Sequence, residues 1–290
     1  MTGSIPFRKM NGLGNDFVVL DARARALPLA PDAVRAIADR EEGIGCDQLI
    51  VLEPSRQADV FMRIFNADGG EVGACGNAAR CVAALIAEEQ DRPQIGIETE
   101  SGPLAATVNG DGSVTIDMGV PRFAWNEIPL AEPFHDTRAI ELQIGPIDAP
   151  VLHSPSVVNV GNPHCIFFVE DTDEHDLARF GPMLEHHPLF PERANISLAQ
   201  VLGPDALKLR TWERGAGLTR ACGTAACASA VAAARRALTG RKVSVALPGG
   251  DLRIEWRASD GHVLMTGPYA LDYEGTLPAA LLLDAAKLSC

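Results

Sequence analysis

GGEVGACGNAARC at residues 69–81 and GAGLTRACGTAAC at 215–227 are two copies of one device. In each, Ala-Cys-Gly is followed by one short polar residue, Asn77 or Thr224, and then by an alanine-rich apolar run. Nine residues before each cysteine stands a polar side chain, Asn66 in the first copy and Glu213 in the second. The copies lie half a chain apart, which points to an internal duplication of about half the sequence. Matched thiols, Cys75 and Cys222, suit a substrate addressed from two opposite sides. Inversion of a carbon centre by proton removal and return needs such a pair of acid/base groups.

Outward from these frames, short β-type runs bounded by Gly, Pro, Asn or Asp dominate. The first half offers 17–20, 48–52, 60–65, 95–99, 104–108 and 114–118. The second offers 166–169, 196–201, 207–212, 243–247, 252–256 and 263–266. Gly110-Asp111-Gly112 between two runs predicts a hairpin. Helices are expected over 32–40, opened by Pro31, and over 77–90 and 224–238. The last two lack a wide polar face, as buried helices do. Each half therefore reads as a curled sheet around one central helix. The fold class is α+β, with two pseudo-symmetric domains. The first spans 1–120, completed by 267–290, and the second spans 121–266. Residues 119–122 would carry the crossover and 266–268 the return.

Composition narrows the function classes. The 290 residues are 47% hydrophobic and 22% charged, as in an ordinary globular protein with ample core. A net charge of −13 argues against a nucleic-acid partner, which calls for clustered Lys and Arg. No apolar run is long enough to span a membrane, and the N-terminus shows no apolar export signal. A cytoplasmic location is expected. The seven cysteines are too sparse for a disulfide scaffold. Their close pairs, 75/81 and 222/227, lack the CxxC spacing of zinc sites, so no metal is expected. Cys81, Cys165 and Cys227 read as small buried hydrophobes, Cys46 as lying near Gln48 in a loop, and Cys290 as the flexible chain end.

A free thiol, with pKa about 8.5, is mostly protonated at neutral pH. A helix N-terminus favours the thiolate and also holds a carboxylate on its free N–H groups. Gly76 and Gly223 leave the backbone open to approach, and Asn77 and Thr224 read as caps of the helices that follow. A substrate carboxylate held there would gain stabilisation as charge develops on proton loss. One thiolate and one thiol would make a two-base mechanism. A lone capped helix with an incidental cysteine would be unremarkable; the matched pair is what points to chemistry.

The chain resembles the diaminopimelate epimerase family over nearly its whole length. KMNGLGNDFVVLD at 9–21, GCDQL at 45–49, RIFNADGGEVGACGNAARC at 63–81, GNPHC at 161–165, ERGAG at 213–217, ACGTAAC at 221–227 and TGP at 266–268 follow the family's order. The resemblance implies a cofactor-independent enzyme that interconverts LL- and meso-diaminopimelate in lysine and peptidoglycan precursor biosynthesis. It implies Cys75 and Cys222 as the acid/base thiols. Asn15, Gln48, Asn66, Asn162, Asn195, Glu213 and Arg214 would contact substrate, and Gly76, Asn77, Gly223 and Thr224 would supply carboxylate-binding N–H groups. That set suits a molecule with an amino acid group at each end: Arg214 offers a planar fork for a carboxylate, Glu213 an anion for an ammonium, and the amides two-way hydrogen bonding. His164 matches the family's active-site histidine, implied to help set the thiols' protonation, although a histidine after Asn-Pro reads by itself as a turn residue. The family further implies barrel-like domains each enclosing a helix, a site that closes on its substrate, and a homodimer. Three departures stand out: Leu218 where the family usually has Glu, Ala78 where it has Gly, and Asn11 where it has His.

Other readings are weighed against these residues. A proline or hydroxyproline racemase of the same superfamily would keep both thiols, but a cyclic imino acid has no distal amino acid group for Arg214 and the asparagines. An amino-acid-binding protein has no need of matched thiols. A redox protein would show CxxC. Pyridoxal phosphate would need a lysine, and none of Lys9, Lys208, Lys242 and Lys287 lies in a convincing frame.

Overall fold

The structure is a computed structural model that describes residues 4–278; Lys287 and Cys290 lie outside that range. In chain order the elements are β1 (Ser4–Gly12), β2 (Asn15–Asp21), α1 (Pro31–Ala38), β3 (Gln48–Glu53), β4 (Val60–Asn66), β5 (Glu71–Val72), α2 (Gly76–Gln90), β6 (Gln94–Thr99), β7 (Gly102–Val108) and β8 (Val114–Asp117). They continue with β9 (Gln143–Ile144), β10 (Leu152–His153), β11 (Ser156–Asn159), β12 (Pro163–Val169), α3 (Leu177–Glu185), β13 (Asn195–Gly203), β14 (Ala206–Glu213), β15 (Gly217–Thr219), α4 (Gly223–Arg235), β16 (Lys242–Leu247), β17 (Gly250–Trp256), β18 (Val263–Gly267) and β19 (Ala270–Pro278). The chain forms two compact units. One runs up to Ile116 and resumes at Gly267; the other is Asp117–Thr266.

In the first unit β1 pairs antiparallel with β2 and with β19. β2 runs parallel to β3, β3 antiparallel to β4, β4 parallel to β6, and β6 antiparallel to β7. Parallel neighbours need a crossover, and α1 and α2 lie in those two connections. α2 packs against β1, β6 and β7 and is buried from Asn77 through Ala87. A second core, including Phe7, Leu20, Val34, Ile37, Leu49 and Val51, forms around α1. The Gly-Asp-Gly turn forms as expected: Asn109 and Gly112 close it, with Gly112 at φ +81°.

The second unit repeats this order strand for strand. β11 pairs antiparallel with β12, β12 parallel with β13, β13 antiparallel with β14, β14 parallel with β16, and β16 antiparallel with β17. α3 and α4 occupy the two crossovers, and α4 is buried at Gly223 and from Ala225 through Ala233. Its short side chains let the surrounding strands approach closely.

The twelve expected strands all form, and several elements were not anticipated. β1 and β19 are long strands, read only as part of a motif or not at all. α3 is absent from the sequence reading because Gly181 and Pro182 interrupt its apolar pattern. Gly181 is required there: a Cβ would lie 2.5 Å from the Trp212 ring. The 32–40 helix stops at Ala38, and the 224–238 helix stops at Arg235, before Ala237 takes φ +57°. Residues 118–119 belong with β18, through bonds Met118 N–H to Val263 O and Val263 N–H to Gly119 O.

Candidate active site

In the first unit the strand register brings the polar residues to one end of the sheet. Asn15 opens β2, Gln48 opens β3 and Asn66 closes β4. Gln48 and Asn66 are cross-strand partners, and Gln48 Nε2 donates to Asn66 Oδ1 at 3.0 Å. Asn15 Nδ2 donates to Asp47 at 2.9 Å, and its Oδ1 faces the start of α2. There it receives Asn77 Nδ2 at 3.4 Å and Cys75 Sγ at 3.8 Å. Below this group, Lys9, Arg40 and Asp16 form an ion-pair cluster that also engages Asp47. Burial opposes charge on Asp16, but bonds from Arg40 and Lys9 hold its carboxyl far below the usual carboxylate range.

Cys75 occupies the N-cap of α2, with extended backbone at φ −148° and ψ 110°. Its Sγ accepts the Ala78 N–H at 3.5 Å. The cap expected at Asn77 is therefore held by the cysteine two residues earlier, and Asn77 is freed to reach Asn15. Sulfur at an N-cap meets the positive end of the helix dipole, which favours its ionised form.

The second unit builds an equivalent group from equivalent positions. Each residue lies 147 positions after its counterpart: 15 and 162, 48 and 195, 66 and 213, 75 and 222. Cys222, not Thr224, occupies the N-cap of α4 and is 5% exposed. Its Sγ lies 3.4 Å from Thr224 Oγ1. Glu213 closes β14, accepts the Thr219 hydroxyl, and is bonded by the Cys222 thiol. Burial pushes the Glu213 carboxyl up, and these two bonds oppose that. Burial, with the Glu213 charge beside it, pushes the Cys222 thiol well above the ordinary range. Both effects disfavour a thiolate at Cys222.

His164 sits inside β12, fully buried, and not in a turn. Its Nε2 lies 2.8 Å from Asn162 Oδ1, an oxygen that only accepts, so Nε2 carries the proton. Burial first, and then the Arg214 charge, hold its pKa down at about 3. The imidazole is neutral. Asn162 Nδ2 in turn donates to Thr224 Oγ1 at 3.4 Å. His164 therefore reaches Cys222 through Asn162 and Thr224, within one connected chain.

Asn195 is spent internally: Nδ2 donates to Pro163 O at 3.1 Å, and Oδ1 accepts the Arg214 N–H at 3.0 Å. It fixes the backbone at Arg214, whose exposed guanidinium places one N–H on Glu192 O at 2.9 Å. Glu185 is a supporting residue that no sequence signal marked. Buried on α3, it receives Trp212 Nε1 at 2.7 Å and the Gly215 N–H at 3.0 Å, anchoring the turn that carries Arg214. Gly223 leaves no room for a side chain, since its Cβ would lie 2.7 Å from Met265 Sδ. Among the described residues no three His, Cys, Asp or Glu side chains are grouped to hold a metal.

The family model for diaminopimelate epimerase matches residues 7–124 and 156–271. The chain belongs to the diaminopimelate epimerase family. It is 55% identical to the diaminopimelate epimerase of Rhodopseudomonas palustris (strain BisB5), covering 95% of this chain and 94% of that protein. With the diaminopimelate epimerase of Methylobacterium sp. (strain 4-46) it shares 57% identity, over 97% of both. Among solved structures it resembles a phenazine biosynthesis protein of the PhzF family from Bacillus anthracis (TM-score 0.66, 17% identity, 95% and 99% covered). It also resembles a hydroxyproline epimerase from Agrobacterium vitis (TM-score 0.66, 15% identity, 96% and 94% covered). At those identities the structural likeness bears on the fold alone, an α+β fold of two domains.

The family departures sit as follows. Leu218 pairs with Trp212 across the β14–β15 hairpin, whereas Glu213 pairs with Gly217 and Thr211 with Thr219. Side chains alternate along a strand, so Leu218 points to the face opposite Glu213. Asn11 donates to Asp272 at 2.6 Å. Ala78 is buried and supplies the N–H that bonds Cys75. Cys81, Cys165 and Cys227 are fully buried, as expected, and Cys46, in the loop before β3, is buried as well. Burial pushes Cys81 up to about 12 and Cys46 up to about 11, which keeps both as inert thiols.

Proposed function

We propose that this protein is an isomerase that interconverts LL- and meso-diaminopimelate, with Cys75 and Cys222 as the two acid/base groups. The reading rests on one observation above all: each cysteine occupies the N-cap position of a buried helix, in units of the same topology, inside a family of that activity. Cys75 removes the α-proton as thiolate, and Cys222, held as thiol by its burial and by Glu213, returns a proton on the other face. The free N–H groups at Gly76 and Asn77, and at Gly223 and Thr224, bind the carboxylate at the reacting carbon and stabilise charge as the proton leaves. Asn15, Gln48, Asn66, Asn162 and Glu213 bind polar groups of the substrate. Arg214 takes the distal carboxylate, with Asn195 and Glu185 holding its turn. His164, neutral and buried, orients Asn162 and through it Thr224.

No further catalytic group is invoked beyond the protein's own thiols. Six free cysteines among the described residues suit a reducing compartment, and we place the protein in the cytoplasm. No described helix is long and apolar enough to cross a membrane. A homodimer is our reading of the assembly, as the family resemblance implies: Leu271 and Tyr273 on β19 are each about half exposed, and a second copy would cover such apolar surface. Sedimentation of a monomer at micromolar concentration would contradict the dimer.

The test of the activity is conversion of LL-diaminopimelate by the purified, reduced protein, with no additive, followed by separation of isomers. Meso product is expected. Absence of meso product, with proline and hydroxyproline also unchanged, would overturn the assignment as an epimerase.

A further inference from the structure

The two thiols are set in matched frames, yet the frames differ in charge. At the position nine residues before the cysteine, the first has neutral Asn66 and the second has Glu213. Five residues after it, the first has Arg80 and the second has the neutral Cys227. Arg80 is 0% exposed, and is the largest fully buried side chain of the described residues. A charged residue is almost never fully buried without strong compensation. Each of its three guanidinium nitrogens reaches an acceptor. Nε bonds Pro268 O at 3.0 Å, Nη2 bonds Asn77 Oδ1 at 2.9 Å, and Nη1 reaches Gly76 O at 3.5 Å. Two of those acceptors belong to the residues immediately following Cys75.

The consequence for Asn77 is geometric. With its Oδ1 taken by Arg80, its amide is turned so that Nδ2 points at Asn15 Oδ1, the oxygen that also faces Cys75 Sγ. Hydrogen bonds therefore link Arg80 to Asn77 and Asn77 to Asn15, whose Oδ1 faces Cys75 Sγ and accepts from it only while the sulfur is protonated. In the second unit the corresponding chain reaches Cys222 from His164, through Asn162 and Thr224, and carries no cation. We propose that Arg80 is a positioning residue of the Cys75 half-site, which orients Asn77 and whose buried positive charge favours the Cys75 thiolate against the Asn15 oxygen that faces it. The proposal rests on the two-thiol reading above and adds to it a cause for the asymmetry between the thiols.

Other charges near this end of α2 are already engaged. On β1, Arg8 is paired with Glu274 and Lys9 with Asp16; on β6, Glu98 accepts from Ser55; β7 carries none. Asp47 accepts from Asn15, and Asp272 accepts from Asn11. The two carboxylates oppose Arg80, but each is bonded to an amide donor, and neither is fully buried.

The experiment is alkylation of the full, reduced protein by iodoacetamide across pH, with modification at Cys75 and Cys222 read separately by peptide mass spectrometry. In Arg80→Gln the midpoint for Cys75 should rise by about one pH unit or more, as expected on losing a nearby opposite charge, while that for Cys222 stays put. Arg80→Lys should return the Cys75 midpoint towards wild type, yet leave kcat lowered, because an ammonium cannot bridge Asn77, Gly76 and Pro268 at once. Arg80→Met, which packs without an unsatisfied amide, replaces the Gln variant if that fails to fold. A wild-type Cys75 midpoint in a folded neutral variant would overturn the proposal, as would an equal shift at both cysteines. Alkylation does not require turnover, so a failed epimerase assignment would show separately, as absence of meso product in the wild type.

Discussion

Cys75 and Cys222 hold the same helix position, and what distinguishes them is the company of each sulfur. Cys222 is sealed and lies beside a carboxylate; Cys75 is partly exposed and accepts a backbone N–H. Replacing either by Ala should lower epimerisation by at least about 10²–10⁴, the usual contribution of a positioned acid or base; wild-type turnover in either variant would contradict the two-thiol exchange. Glu213→Gln removes the anion that disfavours a Cys222 thiolate, so the alkylation midpoint of Cys222 should fall. An unchanged or higher midpoint would show that burial alone sets its state. Sequence reading found both thiols because their frames match in residue type. The spacing of 147 between Asn15 and Asn162, Gln48 and Asn195, and Asn66 and Glu213 was equally legible, and would have marked these pairs without any resemblance, though not His164 or Arg214, whose counterparts are Phe17 and Ala67. Glu185 and Thr219 were not legible. Each acts through a contact that forms only once α3 and the hairpin are packed.

At the scale of elements, the two capped helices do the positioning, and α3 does the bracing. α3 is capped by Asp176, whose side chain accepts the Arg179 N–H, and it lies on Trp212 through Gly181. Gly181→Ala should destabilise the protein by about 1–3 kcal/mol, the usual range for forcing atoms into a packed site, read as a lower midpoint in urea with an unchanged slope. Asp176→Ala should cost about 1 kcal/mol, and an unchanged midpoint would show the cap to be idle. The helix was missed because a proline and a glycine inside nine residues break the apolar period; tertiary packing against Trp212 overrides that local preference. The caps were misplaced by two residues for a related reason. Cysteine is not a customary cap, and only the surrounding fold puts it, rather than Asn77 or Thr224, at the N-cap position.

At the scale of the whole molecule, buried titratable groups tie stability to pH. His164 has a folded pKa of about 3 against an unfolded value near 6.5. Below pH 6.5 the unfolded chain binds a proton that the folded chain refuses, so stability falls as the pH drops through that window. Asp16, held far below its usual range, extends the loss at lower pH as the unfolded carboxylate protonates first. The slope of unfolding free energy between pH 4.5 and 6.5 should therefore flatten in His164→Gln. An equal slope in wild type and variant would place the acid lability elsewhere. The duplication was legible at this scale from repeat frames and strand periodicity. The exchange of β19 into the first unit, where it pairs with β1, was read only as a return of the chain, because an exposed strand lacks the apolar alternation that identifies one.

Incubation of the reduced protein with LL-diaminopimelate in D₂O, followed by NMR, goes most directly to the exchange of protons by two thiols. Meso product should form carrying solvent deuterium at the inverted α-carbon, and Cys75→Ala and Cys222→Ala should each abolish its formation. Meso product formed without deuterium, or formed at the wild-type rate by either variant, would contradict the exchange.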